Sequence, residues 1–112
     1  MDYPGRVEQV VSSSDLARRV AALREALQRF GYERAILFGS AARGDVHEGS
    51  DLDVIVVRET DLPFVERPRA LLEILPPGLA VDALVYTPAE FARLSRDPRG
   101  VVASALEEGI EL

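Results

Sequence analysis

The stretch Ile36–Val57, ILFGSAARGDVHEGSDLDVIVV, decides how the rest of the chain is read. Together with Ala35 its first residues form a short apolar run, a buried strand that Gly39-Ser40 stops. Its end, Asp51-Leu52-Asp53-Val54-Ile55-Val56-Val57, is a second strand, polar at the entrance and apolar afterwards. Side chains alternate across a strand, so Asp51 and Asp53 share one face. Gly39 lets the backbone turn sharply and lets a ligand approach the main chain. Ser40 adds a hydroxyl and an N–H at the start of an expected short helix, a natural anion site. Arg43, one turn further on, can reach a phosphate with its forked guanidinium. The spacing fits neither a Walker A loop nor a dinucleotide fingerprint.

A third carboxylate, Asp82, interrupts the otherwise apolar run Leu79 to Tyr86, which reads as another strand. An ionised carboxylate among apolar residues is costly without a partner. Asp82 could be paired to an arginine, and Asp-Leu-Asp by itself is an ordinary polar strand entrance. If the two strands are neighbours, however, three like charges crowd one place, and a divalent cation would make that tolerable.

Working outward, Ser12 to Ser14 with Asp15 read as a helix start after a loose segment, residues 1–12. Leu16, Val20, Leu23, Leu27 and Phe30 recur at three- and four-residue spacing, and Gly31 ends that helix. Arg69 to Leu75 reads as a helix entered through Pro68 and ended by Pro76-Pro77-Gly78. Thr87-Pro88-Ala89-Glu90 is a capped helix start, and Val101 to Glu108 is a last helix stopped by Gly109. Strands separated by helices predict a single α/β (α+β) domain over residues 1–112, a small mixed sheet with helices packed mainly on one face.

Composition narrows the chemistry. The chain has 112 residues, no Cys and one His, His47. That excludes disulfide frameworks and thiolate chemistry, and leaves oxygen as the main metal donor. The net charge is −6, and every one of the 13 basic side chains is an arginine. Phosphate-tracking nucleic-acid binders show the opposite surplus, so nucleic acid is not expected as a partner. No membrane span or signal peptide is legible, and a cytoplasmic location is expected. His47 and Glu48 lie where they could touch a substrate or simply be solvated. Ser50 could cap the loop before Asp51. Tyr32 and Tyr86 could stack a base or pack at the ends of their elements, and Glu107-Glu108 read as a solvated helix face.

Gly39-Ser40, ten intervening residues, Asp51-Leu52-Asp53 and a later strand aspartate resemble the signature of the polymerase-β-type nucleotidyltransferase superfamily. The brevity of the chain is similar to that of the minimal nucleotidyltransferases, partners in HEPN/MNT toxin–antitoxin pairs. The resemblance implies that Asp51, Asp53 and Asp82 are catalytic and bind two Mg²⁺ ions, with Mn²⁺ an alternative. It implies that Gly39, Ser40 and Arg43 bind the triphosphate of ATP. It further implies transfer of AMP to a hydroxyl, foremost a tyrosine of a HEPN partner. Two other functions stay open: a non-catalytic antitoxin that masks its partner, and transfer to an antibiotic or metabolite. The length leaves room for the catalytic core alone, so the acceptor is expected to come from a partner or from a second subunit.

Overall fold

The computed structural model describes residues 4–44 and 51–112, with side chains from residue 15 onward. A long helix, α1 (Pro4–Phe30), leads into strand β1 (Arg34–Phe38) and strand β2 (Leu52–Val57). A 3-10 turn (Phe64–Glu66) and a short helix, α2 (Arg69–Leu72), connect β2 to β3 (Val81–Tyr86). Helices α3 (Pro88–Leu94) and α4 (Val101–Glu108) follow, then a two-residue strand, β4 (Ile110–Glu111). The four strands form one mixed sheet in the order β3-β2-β1-β4. β2 runs antiparallel to β1 and parallel to β3, and β4 is antiparallel to β1.

The expected mixed sheet with helices is present. The placement of the helices differs from expectation, because they divide between both faces. Leu52, Val54 and Val56 of β2 pack with Leu23 and Leu27 of α1 and Leu71 of α2. Ile55 and Val57 point the other way, into a second cluster with Phe91 of α3 and Val102 and Ala105 of α4. The reason is legible in β2 itself: a strand apolar on both faces must be covered on both.

Element boundaries shift where local chemistry permits it. α1 begins at Pro4, ahead of the serines read as its start. Proline suits a first helical position, and serine inside a helix costs only a fraction of a kcal/mol, roughly 0.5 relative to alanine. α2 stops at Leu72, and the backbone then tightens into Ile74 N–H to Leu71 and Leu75 N–H to Leu72 bonds before the prolines. β4 is an addition to the elements expected from the sequence, where Gly109 is only a helix stop. That glycine lies so close to the sheet that a Cβ would meet the Ala105 carbonyl, Ile36 Cγ2 and the Leu37 carbonyl. Its lack of a side chain is what brings β4 alongside β1.

Two arginines tie the connections down. Arg58 donates to the Phe30 carbonyl at 2.8 Å, capping α1, and its guanidinium stacks over the Phe30 ring. Arg67 is buried and bonds the Leu62 carbonyl, the Val85 carbonyl and both Glu90 carboxylate oxygens. Glu90 also accepts from the Thr87 N–H while Thr87 Oγ1 accepts from the Glu90 N–H, the expected capping box. The hydrogen bonds from Arg67 foremost, and then the Thr87 N–H, lower the Glu90 pKa from 4.5 to about 2.

This depressed carboxyl stabilises the fold fully above its unfolded pKa and loses that contribution as pH falls toward its folded pKa. Replacing it leaves the buried Arg67 charge without a counter-charge, so Glu90→Gln should cost about 3 kcal/mol at neutral pH. Urea unfolding should show the deficit near pH 7 and a progressive narrowing below about pH 4.5.

Candidate functional site

β2 and β3 start at the same rim of the sheet, and β1 ends there. The Leu52 N–H bonds the Ala80 carbonyl at 2.9 Å, which locks the entrances of the parallel pair together. In that register Asp53 pairs laterally with Asp82, and on the other side with Phe38 of β1. Neighbouring strands lie about 4.8 Å apart, so the two carboxylates stand side by side. Both occupy the face that carries Ile55 and Val57, and Asp51 shares it one alternation earlier. Asp51 and Asp82 are exposed, and Asp53 is half-buried.

Position, not sequence distance, governs the electrostatics. The Asp53 pKa is raised above the ordinary aspartate value, by burial first and then by the charges of Asp82 and Asp51. The half-buried Phe38 beside it belongs to the apolar surroundings that withhold water. Phe38 had no signal in the sequence, because the register of β1 on β2 spans a long connection that no tight turn fixes.

The turn after β1 is built against the same carboxylate. Gly39 has φ +72°, and a Cβ at that position would stand 2.5 Å from Asp53 Oδ2. Only glycine satisfies both the left-handed backbone and the close approach. In place of the expected short helix there are overlapping turns. The Arg43 N–H bonds the carbonyls of Gly39 and Ser40, and the Gly44 N–H bonds that of Ala41. Buried Ala41 anchors the turn in the core, while Arg43 is exposed. Among the described residues, the N–H groups of Ser40, Ala41 and Ala42 enter no backbone hydrogen bond. Such consecutive donors in a turn suit an anion.

The structure therefore brings Asp51, Asp53, Asp82, Gly39 and Ser40 to one rim, with Arg43 on the same turn. His47, Glu48 and Ser50 lie outside the described residues. Tyr32 packs against the α1 side of the core. Tyr86 sits at the far end of β3 and stacks on Phe64 at 5.4 Å. Neither tyrosine borders the three aspartates. Glu107 and Glu108 are exposed on α4, as read.

Whether the carboxylates suit a divalent cation is decided by their chemistry. They are hard oxygen donors, crowded enough to raise one pKa, which fits Mg²⁺ or Mn²⁺. Among the described residues, no group of three or more His, Cys, Asp or Glu side chains is placed to hold a metal ion. Mg²⁺ does not require one, since it commonly takes one or two carboxylates and completes its shell with phosphate oxygens and water.

A family model described as nucleotidyltransferase domain matches residues 20–111. The chain belongs to this family. The matched span of this nucleotidyltransferase domain holds the Gly39 turn and all three aspartates. The chain is 40% identical over 53 residues to a protein of Methanocaldococcus jannaschii named "Putative protein adenylyltransferase", a match covering 47% of this chain and 52% of that one. The match thus spans about half the length of that relative. A Sulfolobus solfataricus crystal structure, titled as that of "a putative nucleotidyltransferase", shares the fold with TM-score 0.59 at 20% identity. That likeness covers 92% of this chain and 84% of the other. No helix among the described residues is long and apolar enough to cross a membrane.

The raised Asp53 pKa means that its ionised form weakens the folded state, and this cost fades as pH falls and the carboxyl protonates. Asp53→Asn should therefore raise the Tm of the cation-free protein at pH 7, with the difference closing toward acidic pH in calorimetric scans. Gly39→Ala should cost about 1–3 kcal/mol. In a double-mutant cycle with Asp53→Ala part of that loss should disappear, because the shortened side chain vacates the space the new Cβ needs.

Proposed function

We propose that this nucleotidyltransferase domain transfers a nucleoside monophosphate, AMP from ATP, to a hydroxyl of a protein acceptor. The carrying observation is the single rim on which the Asp53–Asp82 pair meets the Gly39 turn. Asp51, Asp53 and Asp82 would hold two Mg²⁺ ions, with Mn²⁺ as substitute. Cations bound there would supply charge neutralisation of the triphosphate and acidification of the acceptor hydroxyl.

The chain's own residues position the nucleotide. Gly39 and Ser40 present backbone N–H groups and the Ser40 hydroxyl to phosphate oxygens, and Arg43 reaches the same anion. The half-buried Asp53 sits where water is partly excluded, which strengthens its pull on a bound cation. Phosphoryl-type transfer depends mostly on such positioning and charge placement. The rim is open rather than enclosed, because Asp51 and Asp82 are exposed. An open rim suits a bulky acceptor that brings its own walls, such as a tyrosine of a HEPN toxin. Modification of that tyrosine would make the chain an antitoxin in the cytoplasm. Support for a protein acceptor also comes from the name of the Methanocaldococcus relative.

A second reading, a non-catalytic antitoxin that works by masking its partner, has one observation in its favour: no three of the described carboxylates are placed to hold a metal ion together. One experiment separates the two. The chain is incubated with ATP labelled at the α-phosphate, Mg²⁺ and a co-purified HEPN partner. Transfer of label to the partner, reduced by about 100-fold or more in Asp53→Ala and abolished by chelation, is the expected result. Equal labelling by the variant would overturn catalysis at this rim, and no labelling by the wild type alongside intact binding would leave the masking function.

A further inference from the structure

At the end of β3 opposite to Asp82, the connection from β2 presents an apolar surface to solvent. Val65 is 83% exposed and Leu72 is 44% exposed. With Pro68, Arg69 and Glu73 they line an open groove of about 390 Å³. Leu62 and Phe64 of the same connection are exposed as well. Large apolar side chains held out together mark an interaction surface more often than chance.

This segment is fixed in place. Arg67, buried, holds it through the Leu62 carbonyl, the Val85 carbonyl and Glu90. Phe64 stacks on the Tyr86 ring, and the Arg67 guanidinium lies over the Phe64 ring. A buried arginine thus maintains a turn that buries none of its own residues. The surface is preorganised, which lowers the entropy lost when something binds to it.

Charge selects the occupant. Glu59, Asp61, Glu66 and Glu73 are exposed along the connection, and among the described residues none of them is in an ion pair. Of its three arginines, Arg58 caps α1 and Arg67 is bound to Glu90, which leaves Arg69 for the surface. Four carboxylates against one guanidinium disfavour nucleic acid and anionic lipid. They also disfavour a second copy, which would bring the same acids face to face on a chain already at −6.

We propose that the groove between the 3-10 turn and α2 docks a cationic amphipathic helix of a partner protein. Its apolar stripe lies on Val65 and Leu72, and its flanking basic residues meet Glu66 and Glu73. The surface and the aspartate rim sit at opposite ends of β3, so an occupant leaves the rim open. Docking does not depend on nucleotidyl transfer, and its test contains no nucleotide.

The probe is a synthetic peptide of about 18 residues with a leucine stripe at helical spacing and arginines on its flanks. Its counterpart carries glutamates in place of the arginines. Binding to the full chain is followed by fluorescence anisotropy. The arginine peptide should bind about tenfold or more tightly than the glutamate peptide, and Val65→Asp with Leu72→Asp should remove that binding. Glu66→Arg with Glu73→Arg should invert the preference. These side chains are exposed, so an unchanged Tm is expected, and Val65→Asp alone serves as the milder variant. Equal binding of both peptides, or undiminished binding by the Asp variants, would overturn the proposal. So would a dimer in sedimentation that Val65→Asp dissociates, since the occupant would then be a second copy.

Discussion

The rest of the rim depends on one close approach, that of the Asp53 carboxylate to the α-carbon of Gly39. A side chain at position 39 would stand 2.5 Å from Asp53 Oδ2, and the left-handed backbone there excludes most residues independently. The glycine turn and the acidic strand entrance are therefore one packed unit. The β1–β2 register places Phe38 against Asp53, and the β2–β3 register places Asp82 on the other side. Moving β2 or β3 by one residue would turn its carboxylate to the opposite face.

Stability and site chemistry pull in opposite directions at this rim. Asp53 is held in its less comfortable state by burial and by two neighbouring charges. Away from the rim the fold uses its polar groups conventionally: Arg67 and Glu90 neutralise each other, Arg58 caps a helix, and Arg34 grips Glu111 across β1 and β4. Unbalanced charge that is also partly buried, concentrated at one place, is a physical mark of a site that waits for a ligand.

Much of this was legible in the sequence, and the illegible parts have identifiable causes. The Asp-Leu-Asp alternation and the interrupted run at Asp82 point to one face without any structure, because strand periodicity is strict. The glycine turn could be read as a turn, but its contact with Asp53 depends on strand register across a long connection. Helix placement on both faces follows from the apolar run Val54 to Val57 of β2, which fills both faces of the strand once past Asp53. β4 was hidden because two residues carry no periodicity. Arg67 gave no signal at all, since an arginine near Pro68 reads as surface until the fold wraps Val85 and Glu90 around it. The roles of Asp51, Asp53, Asp82, Gly39, Ser40 and Arg43 remain proposals carried by this geometry.

The most direct measurement is a carbon-detected NMR titration of the Asp53 carboxyl, first without divalent cation and then with Mg²⁺ and ATP. The account predicts a pKa above the ordinary aspartate value in the cation-free protein and a marked fall when Mg²⁺ and nucleotide are added, as a cation replaces two repelling carboxylates as its strongest neighbour. An ordinary pKa that does not respond to Mg²⁺ and ATP would contradict it.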